Sequence, residues 1–534
     1  MALTKVSPEI LDLNNTAGTS NLRLGVNAGN SIVSGGNYNT VVGDEAGTAI
    51  TTGDSNIGVG FGAVKAATTG SQNVGVGVNT LATLTTASYN TALGTSALTA
   101  NTSGANNVAV GTNALDANTT GESNVAVGIS ALGADTKGTN NVAVGRGALE
   151  TQNFTSATAS LNVAVGSLAG NAITTGIRNT LIGGLAGDAL TTGYFNTAVG
   201  YSALSADTLG RLSVAVGYGA LQTQNFTSGT DVYNVAVGHN AGAAVTTGIK
   251  NVLIGGLAGD AITTASSNTA VGHASLGALT TGEENTAVGL AAGDALTTGL
   301  RNVVMGYAAL TSDTKGQHNV AIGYSALFAQ NFTSATNAYN TAVGSGAGVA
   351  TTTGYSNTLI GGLAGDSITT GAGNVTLGFN AGHTTTTGHN NVYIGQYAGA
   401  HNILNTTGEK NTLVGSLSDT TLVGTSGANA LGYDVSGAAG YTTIGSGSSD
   451  IRAAHGNITW ATVSDERYKK DIVDSTAGLS FINALQPRTF KYKTLGELPE
   501  AFNAYKADST EVFKNSYTNH GFIAQEVKTA IDAD

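Results

Sequence analysis

The chain has 534 residues, of which 77 are glycine, 3 are proline and none is cysteine, and its formal net charge is −12. Glycine is about twice as frequent as the usual ~7% but does not recur at every third position, which excludes collagen. The 41% hydrophobic content argues against disorder, the acidic balance argues against nucleic acid as a partner, and the lack of a long apolar run argues against insertion into a membrane.

The N-terminal segment, residues 1–30, precedes the regular part of the sequence and is too short for a sizeable domain. It lacks the apolar core of a secretory signal. We expect this segment to attach the chain to a larger structure.

Residues 31–415 carry a repeat of 17 residues. The glycine that closes each Asn-x-Ala-Val-Gly-like segment recurs from Gly43 to Gly395 with 17 intervals of 17 residues and three of 21, and weaker copies lie at Gly25 and Gly415. Each unit joins a β-favouring segment to a Thr-Thr-Gly turn, which is enough for one coil of a parallel β-solenoid. Helical repeats and propeller blades need longer units. The repeat therefore predicts an all-β rod of about 22 coils and roughly 105 Å.

The strand of each unit predicts how the rod associates. In Asn124-Val125-Ala126-Val127 the valines point to one face and the alanine to the other, so both faces are apolar. We expect the valines to fill the interior of the coil and the small alanine to contact a neighbouring chain. The asparagine that opens nearly every coil is expected to stack into a hydrogen-bonded ladder.

The three 21-residue intervals each contain Gln-Asn-Phe-Thr-Ser, with the aromatic ring at Phe154, Phe226 or Phe332. Four extra residues in one coil are expected to bulge from the rod. One interpretation is that the exposed rings stack on sugars or bind a partner. The favoured alternative is that each ring packs against a neighbouring chain and braces it.

Residues 416–463 abandon the strict period, and we expect them to form a distal tip. The histidines show no metal-binding spacing. His239 and His273, two coils or about 10 Å apart, are too distant to share a metal ion and are expected on the surface. We expect no cofactor and no metal site.

The C-terminal segment, residues 464–534, differs sharply in composition, because it holds 20 of the 54 charged residues in the chain. This change predicts a separate, small α+β domain. Ser464 and Lys469 could form a hydroxyl nucleophile and an amine base if burial lowers the lysine pKa. Taken alone, such a pair is a weak signal.

Two resemblances give these patterns a context. The repeat resembles the head repeats of trimeric bacterial adhesins and, more closely, bacteriophage tail fibres. The C-terminal segment resembles the intramolecular chaperone domain found at the C-terminus of phage tail fibres and tailspikes. Three stretches carry that resemblance, namely Ser-Asp-x-Arg-x-Lys-Lys-x-Ile at 464–472, GLSFINALQPRTFKYK at 478–493 and HGFIAQEV at 520–527.

The second resemblance implies a domain that drives trimerisation of the fibre and then cuts itself off before the motif serine. It places the scissile bond at Val463–Ser464, with Ser464 as the nucleophile and Lys469 as the residue that activates it. Asp465 and Arg467 match motif positions and are expected to support the site. His520 lies in a matching stretch without an assigned role. Family members continue beyond the Gln-Glu-Val stretch, which leaves open whether the chain as given is complete and cleaves itself.

The implied protein is a homotrimeric phage tail fibre, made in the host cytoplasm and carried on the virion. Its expected partners are its own copies, virion proteins at the N-terminus and a bacterial surface receptor, with a glycan as one candidate. A structural or decorating fibre without receptor binding is the main alternative. A cellular trimeric adhesin is disfavoured by the missing signal and anchor, and an enzyme acting on surface polysaccharide has no residue-level support.

Overall fold

The computed structural model of the chain describes residues 11–12, 18–456, 461–462 and 483–533. The chain divides into two compact units, Met1–Thr462 and Val463–Asp534. The first unit is a parallel β-solenoid, and the second contains a short strand pair and a helix. The predicted fold class is therefore confirmed.

The solenoid is a ladder of 25 parallel strands among the described residues, one for each coil. Successive strands pair in register, so that Val125 lies beside Val142 and Ala126 beside Ala143. At about 4.8 Å for each strand the ladder spans roughly 115 Å. In chain order the strands are Leu22–Leu24, Thr40–Val42, Ile57–Val59, Val74–Val76, Thr91–Leu93, Val108–Val110, Val125–Val127, Val142–Val144, Val163–Val165, Thr180–Ile182, Thr197–Val199, Val214–Val216, Val235–Val237, Val252–Ile254, Thr269–Val271, Thr286–Val288, Val303–Met305, Val320–Ile322, Thr341–Val343, Thr358–Ile360, Val375–Leu377, Val392–Ile394, Thr412–Val414, Asn429–Tyr433 and Tyr441–Ser446.

Antiparallel strands cover both ends of this ladder. Leu11–Asp12 pairs with the first ladder strand. Ser449–Ala454 pairs with the last ladder strand, and Ala461–Thr462 pairs with Ser449–Ala454 in turn. The coils thus extend from Leu22 to Ser446, into both segments that flank the strict 17-residue repeat. Such end strands protect edges that would otherwise offer unpaired backbone groups.

The interior of each coil is filled by the central residue of the strand and by side chains of the following turn. Ala126, Ala131 and Leu132 are completely buried, whereas Val125 and Val127 are half-buried and point outward. The prediction that the valines fill the interior and the alanine faces a neighbouring chain is therefore wrong. Because Leu132 from the turn already occupies much of the narrow lumen, the strand of this coil has the small Ala126 at its centre.

Exceptions to this pattern show that the coil interior has a fixed volume. Where the central strand residue is Leu181, the turn position equivalent to Leu132 is Gly187. A Cβ atom on Gly187 would lie only 2.8 Å from Leu181 Cδ2. In this coil Leu181 and the fully buried Leu190, three residues after Gly187, fill the space that Leu132 fills in the Ala126 coil, as expected for a close-packed interior.

The repeat glycine and the repeat asparagine hold successive coils together. Gly128 has φ +135°, and a Cβ atom there would lie 2.5 Å from the carbonyl oxygen of Gly145 in the next coil, so a side chain is excluded. Asn285 Nδ2 donates to Asn268 Oδ1 at 3.1 Å and to the carbonyl oxygen of Gly299 at 2.9 Å. The predicted asparagine ladder is confirmed, and it is buried along the rod.

Short additional pairs lie beside three of the coils and near the end of the rod. They join Gly138–Thr139 to Thr158–Ala159, Gly210–Arg211 to Thr230–Asp231, Gly316–Gln317 to Thr336–Asn337, and Asp419–Thr420 to Ser436–Gly437.

The second unit combines strands with helix, as the α+β prediction requires. Arg488–Phe490 pairs antiparallel with Asn519–Gly521. A short 3-10 helix spans Leu495–Glu497, and an α-helix, α1, spans Ala524–Ala533.

Candidate functional site

The residues predicted for self-cleavage lie outside the described part of the chain. Ser464, Lys469 and the Val463–Ser464 bond, together with Asp465 and Arg467, fall between residues 462 and 483. Their roles stay predictions. The geometry that can be described belongs to residues 483–533 and to the solenoid.

In the C-terminal unit, an ion pair joins the strand pair to α1. Arg488 donates hydrogen bonds of 2.9 Å from Nε and 2.8 Å from Nη2 to the Glu526 carboxylate. These bonds raise the pKa of Arg488 above its ordinary value, so the guanidinium stays charged. His520 pairs with Thr489 in the backbone ladder, and its side chain is exposed.

An open cavity of about 300 Å³ lies beside this ion pair. Its lining consists of Ala484, Gln486, Arg488, Glu526, Thr529 and Ala530. The Thr529 hydroxyl donates to the carbonyl oxygen of Gln525 at 2.9 Å, which ties it to the helix backbone. Among the described residues that line the cavity there is thus no nucleophile paired with a base.

The outward side chains of the ladder strands form a continuous apolar surface, here called the strand face. The 23 strands from Leu22–Leu24 to Thr412–Val414 contribute two outward positions each, the first and the third residue. All 46 positions hold valine, leucine, isoleucine, methionine or threonine, and all are half-buried or exposed. A solvated sheet face usually carries polar residues, so this surface is of the kind that contacts another surface.

The three 21-residue coils share a buried polar network. Asp207 accepts hydrogen bonds at 2.6 Å from Gln224 Nε2, at 3.0 Å from the Gly210 amide and at 3.2 Å from the Phe226 amide. Gln224 Oε1 in turn accepts from Asn234 at 2.9 Å. Burial raises the pKa of Asp207 despite these donors. The equivalent pairs are Asp135 with Gln152 and Asp313 with Gln330.

The phenylalanines of these coils are buried within their own chain. Phe154, Phe226 and Phe332 are only 6%, 7% and 8% exposed. Both interpretations of the rings are therefore wrong in this chain, because the rings neither project into solvent nor remain free to brace a neighbour. The insertion folds back as a short extra strand pair, and the aspartate network holds the phenylalanine amide in place.

Aromatic side chains also follow the strands, at the residue directly after the repeat glycine. Tyr201 stacks on Tyr218 with ring centroids 5.8 Å apart, and Tyr218 stacks on His239 at 5.4 Å. His239 and His273 are both exposed, as predicted. This series of positions is here called the corner column.

Carboxylates lie on the turn five residues after several repeat glycines. Burial raises the pKa of Asp116, Asp188, Asp260 and Asp294, and the charge of Asp294 adds to the rise at Asp260. Within the described residues, no three His, Asp or Glu side chains gather closely enough to hold a metal ion.

Comparison with known proteins bears on the C-terminal unit. Residues 464–534 match the family model of Peptidase S74, described as the chaperone of endosialidase. This match supports a phage tail fibre with a C-terminal intramolecular chaperone domain, and it suggests a virion component. No curated protein matches the chain. In the part of the chain that is described, no helix is both long and apolar enough to span a membrane.

Proposed function

We propose that the chain is a homotrimeric phage tail fibre that attaches the virion to the bacterial surface. We further propose that its C-terminal unit drives trimerisation and is then released by self-cleavage. The single observation that supports association of several chains is the strand face, whose 46 outward positions include no charged residue. The family match at residues 464–534 supports the chaperone role.

The size of the strand face favours a stable assembly. A strand of three residues is about 10 Å wide, and 23 strands stacked at about 4.8 Å give roughly 1,100 Å² for each chain. A standard interface buries about 800 Å² for each partner. A second copy of the chain is the natural occupant, because only another rod of the same period matches this face over its whole length.

The proposed cleavage uses Ser464 as the nucleophile and Lys469 as the base that activates it. A lysine with its ordinary pKa of about 10.4 is protonated at neutral pH, so the assembled site has to lower that pKa by burial. The neutral Lys469 amine takes the proton of the Ser464 hydroxyl, whose oxygen attacks the carbonyl carbon of Val463. The C–N bond between Val463 and Ser464 then breaks, the proton passes to the freed Ser464 amine, and water hydrolyses the resulting ester to release the Val463 carboxylate and restore the hydroxyl. The family match begins at Ser464, and the boundary in the chain between the two compact units falls one residue before the Val463–Ser464 bond, which supports a cut at this point.

The intact mass of the expressed chain tests this cleavage. We expect two fragments from the wild type that meet between residues 463 and 464, and one uncut chain from Ser464→Ala or Lys469→Ala. Lys470→Ala is the matched control, because it removes the neighbouring lysine and should leave cleavage intact. An uncut wild type, or a Ser464→Ala chain cut at the same bond, would contradict the proposal.

Competition with virions tests attachment. The purified fibre should block adsorption of particles to host cells, with the N-terminal segment holding the fibre on the particle. The alternative is a structural or decorating fibre without receptor binding. A fibre that assembles normally but neither binds host cells nor competes for adsorption would favour that alternative.

A further inference from the structure

Three gaps interrupt the corner column, and each lies beside an aromatic ring. Of the 21 residues that directly follow the repeat glycines from Gly43 to Gly395, three are glycine, namely Gly184, Gly256 and Gly362. The equivalent residue of the next coil is Tyr201, His273 or Phe379, respectively. The rings of Tyr201 and Phe379 are 53% and 46% exposed.

The backbone does not require glycine at these three places. Their φ angles lie outside the left-handed region, and a Cβ atom on Gly184 would lie 3.4 Å from Tyr201 Cδ2, which is an ordinary contact. The same distance is 3.5 Å for Gly256 to His273 and for Gly362 to Phe379. Glycine is conformationally costly where alanine would fit. Its role here is therefore to leave the space next to each ring empty.

The neighbouring coil fixes the orientation of the ring. Tyr218 stacks on one face of Tyr201 with the two ring planes only 15° apart, so the opposite face of Tyr201 points along the rod toward the Gly184 coil. Phe379 is held by an edge contact with Tyr397 at 5.7 Å. A ring fixed by packing offers a preformed contact, which lowers the entropic cost of binding.

The gap belongs to a module that occurs three times in the chain. In each copy the buried aspartate of the 21-residue coil precedes the gap glycine by 49 residues and the ring by 66 residues. The copies begin at Asp135, Asp207 and Asp313. Because insertion, gap and ring keep the same spacing while the ring changes from tyrosine to histidine to phenylalanine, the shared property is an open π face rather than a hydroxyl group.

We infer that the three gaps bind pyranose rings of a bacterial surface polysaccharide, an inference that rests on the proposed attachment function. The C–H bonds on one face of a pyranose are weakly positive and fit the negative face of an aromatic ring. A nucleobase would also stack, but a chain with a net charge of −12 repels nucleic acid. Three sites of the same kind on one rod bind a repeating polymer more tightly than a single sugar.

An array of immobilised bacterial O-antigen and capsular oligosaccharides, probed with the full-length protein, tests this inference. Gly184→Val, Gly256→Val and Gly362→Val together fill the gaps, and we expect at least tenfold weaker binding to every glycan that the wild type binds. The double variant Thr95→Val with Thr112→Val is the matched control, because it places valine in the corner column at positions that have no gap. We expect its glycan binding to stay within twofold of the wild type.

A second variant removes the rings instead of filling the gaps. Tyr201→Ala, His273→Ala and Phe379→Ala together should also lose binding, and an unchanged thermal midpoint shows that the coil is intact. Full binding by either triple variant, or a wild type that binds no glycan on the array, overturns the inference. Adsorption of the wild type to host cells is measured separately. If the wild type binds cells but no glycan, the gaps are not the glycan sites, whereas the proposed attachment function is still supported.

Discussion

A single carboxylate on the strand face should separate the effect of association from the stability of the coil. Val144 is the third residue of its strand, half-buried and outward, near the first 21-residue coil. In an isolated chain the carboxylate of Val144→Glu stays hydrated, so the coil should lose less than about 1 kcal/mol of unfolding free energy.

The same substitution costs far more in an assembly that covers the strand face. Desolvation of each carboxylate costs several kcal/mol. Three chains related by symmetry would bring three carboxylates together, and at a separation of roughly 6 Å and an effective dielectric constant of 20 each pair repels by about 3 kcal/mol. The total penalty for a trimer exceeds about 10 kcal/mol, which is comparable to the free energy of a nanomolar complex.

Sedimentation velocity at micromolar concentration measures this effect, with circular dichroism as the check on the fold. We expect a trimer for the wild type, dissociated but β-rich chains for Val144→Glu, and a trimer for Val144→Thr, because threonine already occupies nine outward positions. Thr192→Glu, on an exposed turn, controls for added charge. A Val144→Glu protein with wild-type stoichiometry and thermal stability would refute the assignment of the strand face as the interface.

Three further substitutions examine the interior of the rod. Asn285→Ala removes a buried amide that hydrogen-bonds both neighbouring coils, and we expect the free energy of unfolding in urea to fall by about 2–4 kcal/mol. Asn285→Ser should cost less, because a serine, Ser213, already occupies the same ladder position in another coil. Phe226→Ala should cost about 3–5 kcal/mol by leaving a cavity, visible as a lower thermal midpoint, whereas Tyr233→Ala at an exposed site should change it little. Burial raises the pKa of Asp207 in the folded state. The protonated Asp207 side chain therefore contributes its full stability below the unfolded-state pKa of about 3.9, and this contribution is lost as the pH rises through the higher folded-state pKa. In parallel urea titrations, Asp207→Asn should therefore become more stable relative to the wild type as the pH rises above about 4, and a relative loss of stability over that rise would contradict the expected direction.

The coil and its ladder could be predicted from sequence because their cause is local. The repeat glycine closes each strand segment and the repeat asparagine opens each coil, and the fixed period alone places equivalent residues of successive coils next to each other. The positions of Gly128 and Asn285 in the structure agree with that reasoning.

The orientation of Ala126 could not be predicted in the same way. Both faces of the strand are apolar, so alternation alone does not say which face is interior. The deciding residue is Leu132, six positions later, which turns inward with φ +52° and fills the lumen. The burial of Phe226 could not be predicted for a similar reason, because the four extra residues do not say where the ring lies. Residues 227–229 are exposed, but the buried Asp207, itself bonded to Gln224, holds the Phe226 amide inside the rod.

The regularity of the strand face creates a problem of register between chains. A shift of one coil, about 4.8 Å, leaves valine opposite the same kinds of residue and changes few apolar contacts. The 21-residue coils are the features that distinguish one register from another. Counted along the repeat, the first and second are four coils apart and the second and third are six coils apart. Only the unshifted register aligns all three at once, and because these separations differ, no shifted register aligns more than one pair of insertions.

Correct alignment therefore depends on where association begins. If parallel chains meet at random positions, most encounters bury apolar surface in a shifted register, and long solenoids escape from such states slowly. A trimerising unit at one end, as proposed, would fix the first coil, and the unequal spacing of the three insertions would then keep every later coil in register. We infer that this is the physical need that the proposed C-terminal chaperone meets. The proposed release of the unit is consistent with it, since an assembled rod with 23 covered strands would be held by its own interface and would unfold too slowly to need the unit.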